Sequence, residues 1–276
     1  MHFRSRVLLM GTHGLLSPYA VRDIGLATLL GALVAYYAVA SEPGMVAAAR
    51  SAFYSCLADP SFLLCIAVLS LPYIMFYFIW KRPRSWMGLC RGAACAGFGA
   101  TDGERAVGVF AFMGMALKVV QFAAVLVWWC GVAGTGIRAG LGDLASVVLA
   151  TTAPRAVAAA ALMGAGQALN GAVYAHLGSD GVYYGFKLGR TVPWCHAFPF
   201  NTGLRHPQYV GSVLSIWSMV IMLMTPANAG VATVGLAWSF QYLVTSSFEE
   251  VGDADGLDLE PLDIKEERTV EGKKKA

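Results

Sequence analysis

The segment Ser61–Trp80 carries no charged side chain and, at roughly 20 residues, is long enough to cross the hydrocarbon core of a bilayer as a helix. Further mostly apolar runs are Ile24–Ala40, Val107–Val132, Ala156–Leu177, Tyr209–Met224 and Gly230–Ser247. Polar, Pro-containing or Gly-containing stretches separate them. Ser41-Glu42-Pro43-Gly44 stops the first run, and Asp59-Pro60 reads as an N-cap followed by proline at the first helical position. The expected fold is all-α: a polytopic α-helical membrane protein with about six membrane helices. Thr225–Ala229 is short enough to make the last two a C-terminal helical hairpin. Met45–Ala58 reads as a connector or interfacial helix, and Gly134–Asp143 as a short loop. Pro154-Arg155 breaks the run from Leu144 to Leu177. The start, Met1–Ala20, reads as a weak lead-in helix interrupted by Gly11, His13 and Pro18.

Composition excludes the alternatives. Hydrophobic residues make up 57% of the chain and charged residues 13%, against about 25% charged in soluble domains. A soluble fold of this length has no means of hiding that much apolar surface, so an ordinary cytosolic enzyme, a collagen and a disordered chain are ruled out. The 20 Lys and Arg against 17 Asp and Glu are too small an excess to indicate nucleic acid as a partner. Six cysteines without a CxxC pair read as small apolar residues, and no metal site is expected.

The basic residues are unevenly placed. Arg4, Arg6 and Arg22 precede the first run, Lys81, Arg82 and Arg84 follow the second, Lys187, Arg190 and Arg205 follow the fourth, and Lys273–Lys275 close the chain. With alternating crossings these clusters share one side, which the positive-inside rule makes cytosolic, together with both termini. Lys273-Lys274-Lys275-Ala276 fits either a dilysine retrieval signal for the endoplasmic reticulum or a solvated basic end.

The residues suited to chemistry cluster between Gly164 and Gly211. His196-Ala197-Phe198-Pro199-Phe200-Asn201 is followed by Arg205-His206-Pro207-Gln208-Tyr209-Val210-Gly211-Ser212, with Pro207 placed to open a helix. Arg205 just before a helix start is either a boundary residue or a grip for a carboxylate or phosphate. Glu249-Glu250 ends the last run, where carboxylates oppose the helix dipole, so the pair either is solvated or faces a cationic ligand. Gly164-Ala165-Gly166 inside an apolar helix reads by itself as a close helix–helix contact. Lys118 and Gln121, one turn apart, either line an interior cavity or snorkel.

Taken in order, Asp59-Pro60-Ser61-Phe62, Gly164-Ala165-Gly166-Gln167, Phe198-Pro199-Phe200-Asn201, Pro207-Gln208-Tyr209-Val210-Gly211-Ser212 and Phe248-Glu249-Glu250 resemble the phosphatidylethanolamine N-methyltransferase family of the endoplasmic reticulum. The resemblance runs from Asp59 to Glu250. It implies an N-terminal extension with one extra membrane helix (1–58), a membrane methyltransferase domain (59–250) and a flexible cytosolic tail (251–276). Two features depart from the pattern: His206 stands where the family commonly has Asn, and Val251-Gly252-Asp253 replaces its Pro-Phe-Thr. The Arg-His-Pro-x-Tyr form resembles the wider superfamily, which includes isoprenylcysteine carboxyl methyltransferases.

The resemblance implies an enzyme that uses S-adenosylmethionine to N-methylate phosphatidylethanolamine or its mono- and dimethyl derivatives toward phosphatidylcholine. The donor would be bound by Gly164, Ala165, Gly166, Glu249 and Glu250, with Arg205 on its carboxylate. A phospholipid amine has a pKa near that of lysine, about 10.4, so a base is needed at neutral pH. His206 is the first choice, with His196 or a glutamate as alternatives. Tyr183, Tyr184, Phe198, Phe200, Asn201 and Tyr209 are the expected substrate-facing residues, because aromatic faces hold methylated cations. A carboxyl methyltransferase, or a non-catalytic transporter using Lys118 and Pro154-Arg155 as a polar path, are the competing readings.

Overall fold

The computed structural model describes residues 16–40, 42–132, 136–193 and 195–254. The expected retrieval signal and most of the expected tail lie outside them. Every regular element among the described residues is helical: α1 (Pro18–Val39), α2 (Met45–Leu57), α3 (Pro60–Lys81), α4 (Pro83–Leu89), α5 (Asp102–Val132), α6 (Gly136–Leu149), α7 (Ala153–Val182), α8 (Pro207–Leu223) and α9 (Val231–Ala254), with short 3-10 turns between some of them.

Local chemistry sets the helix starts. Ser17 Oγ accepts from the N–H groups of Tyr19 and Ala20, and Pro18 occupies the first turn of α1. Pro18 therefore opens a helix, where the sequence suggested an interruption. The Asp59 carboxylate accepts from the Ser61 N–H at 2.9 Å and the Ser61 hydroxyl at 2.7 Å, and these bonds hold its pKa below the usual carboxylate range. Thr101 and Glu104 form a reciprocal capping box, which starts α5 at Asp102, ahead of Val107 where the apolar run begins. The expected loop Gly134–Asp143 is largely the first part of α6.

Six helices alternate in direction. The beginnings of α1, α5 and α8 and the ends of α3, α7 and α9 meet at one end of the bundle, linked by Arg22–Gly203, Glu104–Arg190, Trp80–Tyr184 and His206–Glu250 contacts. The expected basic clusters that are described all fall at this end. At the opposite end Arg155 is buried, donating to the Ile221, Met222 and Met224 carbonyls at the end of α8 and pairing with Glu42 at 2.9 Å. That caps the orphan carbonyls of a buried helix terminus.

α8 is the hub, packed between α7, α1 and α9 and buried along most of its length. Close approach to it is written in glycine. A Cβ on Gly31 would lie 2.3 Å from the Trp217 ring, and one on Gly166 would lie 2.5 Å from the Gly211 carbonyl oxygen. The outward faces invert the soluble pattern, with Leu26, Tyr37, Leu64, Ile74, Met115, Val119 and Val157 all exposed. Such a surface is stable against lipid tails, and helices satisfy their own backbone groups there. By length and composition α1, α3, α5 and α7 suffice to cross a bilayer. The 17 residues of α8 make a rod of about 25 Å, and α8 and α9 form the expected hairpin. The protein is a polytopic helical membrane protein.

Candidate active site

A cleft of about 250 Å³ opens at the basic end of the bundle between α7, α8 and α9. Gly178, with φ 61° and ψ −172°, interrupts α7 in a conformation that essentially only glycine adopts, and redirects its last turn along the cleft. Val173 and Leu177 make the apolar wall below the kink, Trp80, Phe186 and Phe200 add aromatic faces, and Arg205, His206, Tyr209, Glu249 and Glu250 bring the charge and hydrogen-bonding groups.

Two carboxylates on adjacent residues serve different groups, as neighbours on a helix must when they point about 100° apart. Glu249 accepts hydrogen bonds from the hydroxyls of Tyr184 and Tyr209. Glu250 Oε1 lies 2.6 Å from His206 Nε2. The His206 ring stacks on Tyr209 with centroids 5.9 Å apart and planes 12° apart. With Nε2 bound to a carboxylate, the favoured neutral tautomer carries its proton there and leaves Nδ1 as the basic nitrogen. The Arg205 guanidinium lies over the Tyr19 ring at 4.7 Å. Lys187 is buried, its Nζ 3.7 Å from the Trp80 ring centroid.

The sequence-predicted residues divide. Arg205, His206, Tyr184, Phe200, Tyr209, Glu249 and Glu250 line the cleft. Tyr183 sits beside it, its hydroxyl 2.7 Å from that of Tyr174 and its ring against Phe110. Phe198, Asn201 and His196 are exposed and outside the lining. Gly164, Ala165 and Gly166 lie two or more turns along α7 from Val173, at least about 10 Å away, and Gly166 is pressed against Gly211 and Ser215 of α8. Tyr184 and Tyr209 enter as hydroxyl donors to Glu249 as well as aromatic faces. Trp80 and Phe186 belong to the lining without having stood out in the sequence, where nothing separates them from an interfacial aromatic belt.

Lys118 neither snorkels nor lines an open path. Its Nζ donates to the Tyr242 hydroxyl at 2.7 Å and lies 5.0–5.6 Å from the ring centroids of Tyr73, Trp238 and Tyr242. Gln121 is buried and donates to the Leu69 carbonyl.

A model of the phospholipid methyltransferase family matches residues 154–251, the stretch that supplies α7, α8, α9 and the cleft. Phosphatidyl-N-methylethanolamine N-methyltransferase of Arabidopsis thaliana is 31% identical over 154 residues, which are 56% of this chain and 74% of that protein. The chain belongs to the phospholipid methyltransferase family. No solved structure matches it. The cleft lies at the basic end of the bundle, within the stretch that the family model matches.

Proposed function

We propose that the protein transfers methyl groups from S-adenosylmethionine to the amine of phosphatidylethanolamine or of its mono- and dimethyl derivatives, at the cytosolic face of the endoplasmic reticulum membrane. The observation that carries this reading is the convergence of Arg205, Glu249 and the His206–Glu250 pair on one cleft at the basic end of the bundle. The donor set suits S-adenosylmethionine. Its amino-acid end is a zwitterion, for which Arg205 offers a guanidinium to the carboxylate and Glu249 a carboxylate to the ammonium or ribose hydroxyls. When bound, that group supplies an electrophilic methyl on a sulfonium centre.

The protein's own residues do the rest by positioning and proton handling. His206, its Nε2 held by Glu250, takes the proton of the lipid ammonium on Nδ1, and Glu250 stabilises the imidazolium that results. The neutral amine then has the lone pair that in-line displacement at the methyl requires. Trp80, Phe186, Phe200 and Tyr209 present faces to the increasingly bulky cation that successive methylations produce. The apolar wall of Val173 and Leu177 excludes water, which sharpens each electrostatic contact.

The carboxyl-methyltransferase reading is disfavoured by the same geometry. A carboxyl acceptor, with a pKa of about 3.5, is already an anionic nucleophile at neutral pH and needs no base. Two carboxylates in the cleft would also repel it. The transporter reading loses its polar path, because Arg155 is engaged by α8 carbonyls and Glu42, and Lys118 by Tyr242. The relative from Arabidopsis thaliana is named for phosphatidyl-N-methylethanolamine, which supports that lipid as an acceptor here. Membranes from a host lacking this activity, given methyl-labelled donor and a panel of acceptors, test the assignment. Label is expected on phosphatidylethanolamine or its partly methylated forms; label only on a farnesyl-cysteine analogue would replace this reading with the carboxyl one.

A further inference from the structure

Asp23 is 2% exposed, a buried carboxylate on a helix that lies outside the matched family region. Its Oδ2 accepts from the backbone N–H groups of Arg205 at 2.7 Å and His206 at 3.2 Å. Its Oδ1 pairs with Arg22, and Arg22 Nη2 reaches on to donate to the Gly203 carbonyl at 2.7 Å. Two adjacent residues of α1 thus clasp both sides of the turn 203–206 across more than 180 residues of sequence.

We infer that Asp23 is a positioning residue for methyl transfer and that α1 is a working part of the active site, latching the turn that carries Arg205 and His206. The physical need is visible in the turn itself. No side chain of its own caps the start of α8, and Pro207 has no N–H to offer. Two consecutive amides facing inward form an anion-binding nest, and a buried carboxylate that accepts charge-assisted bonds from both fixes their orientation. Since a side chain leaves the backbone in a direction set by that orientation, the nest determines where Arg205 and His206 point. Arg205 then lies over Tyr19, also on α1, and His206 reaches Glu250 on α9. α1 therefore touches the site at three residues, whereas its packing on α8 through Gly31 and Trp217 lies deeper in the bundle.

This inference rests on the proposed function for its catalytic meaning, and the test reads the two separately. Full-length Asp23→Ala and Asp23→Asn variants are compared with the wild type in membranes, by kinetics and by amide hydrogen exchange of residues 203–206. Asp23→Ala is expected to lower kcat by about tenfold or more, since small misplacements of reacting groups are costly, and to speed exchange in the turn. Asp23→Asn keeps a carbonyl oxygen for the two amides and is expected to stay within about threefold of wild type with near-normal exchange. Wild-type kcat or unchanged exchange in Asp23→Ala overturns the inference. Should that variant fail to accumulate, Arg22→Met removes only the outer half of the clasp; faster exchange at 203–206 is then expected, and unchanged exchange overturns the latch. Absence of methyl transfer by the wild type would overturn the proposed function, while the exchange data would still report on the latch.

Discussion

His206 at the start of α8 and Glu250 near the end of α9 meet at 2.6 Å, between Nε2 and a carboxylate oxygen. The pair closes the open end of the helical hairpin and sets a carboxylate charge beside the imidazole. Glu250→Gln keeps a hydrogen-bonding group but removes that charge. It is expected to lower kcat about 10²-fold, the scale of a general base deprived of its support, with the protein still present in the membrane. Steady-state rates on a monomethylated lipid amine check this.

Glu249 is held by two hydroxyls, those of Tyr184 and Tyr209. Each Tyr→Phe change removes one hydrogen bond to a charged group, about 1.5–3 kcal/mol at most. The expected result is a donor KM raised several-fold in either single variant and further in the double, with kcat changed less. Equal KM values in all three variants would remove Glu249 from donor binding.

Gly166 and Gly164 give opposite predictions although they are two residues apart. A Cβ at Gly166 meets the Gly211 carbonyl and the Ser215 hydroxyl at 2.5 Å, whereas one at Gly164 meets nothing within 4 Å. Gly166→Ala is expected to destabilise the α7–α8 crossing by about 1–3 kcal/mol, and Gly166→Leu by more. Gly164→Ala, in open space within the helix, is expected to stabilise by up to about 1 kcal/mol, since alanine is the better helix former. Thermal unfolding of the detergent-solubilised protein separates them.

Lys118 and Tyr242 are the intramembrane pair. Tyr242→Phe leaves an ammonium without its hydroxyl partner, at a cost of about 1–3 kcal/mol, and Lys118→Met in the same background is expected to recover most of it. A double-mutant cycle on unfolding temperature measures that coupling. Additive effects would mean that the two side chains are independent.

Much of the architecture is legible in the sequence, because a bilayer imposes long apolar runs that little else produces. All six expected runs are helices, and Asp59-Pro60 marks the start of α3. The misread elements are those where one residue carries two meanings. Pro18 breaks a pattern and also opens a helix, and Ser17 behind it decides for the latter. Gly136–Leu149 mixes glycines and charges with apolar residues, yet folds as α6. At the site, Arg205, His206, Glu249 and Glu250 stand out because each is charged or titratable at a membrane boundary. Asp23 does not, since its role exists only through backbone amides distant in sequence. The tyrosines were legible as rings, but hydroxyl direction is a property of the fold.

The proposed reaction requires the donor and the lipid amine to share the cleft at the basic end. Ultraviolet cross-linking of methyl-labelled S-adenosylmethionine to the full-length protein, followed by peptide mapping, tests that most directly. The predicted result is label on peptides containing Arg205–Tyr209 or Glu249–Glu250, suppressed by excess unlabelled donor. Competable label confined to peptides at the opposite end of the bundle, around Glu42 or Arg155, would contradict it.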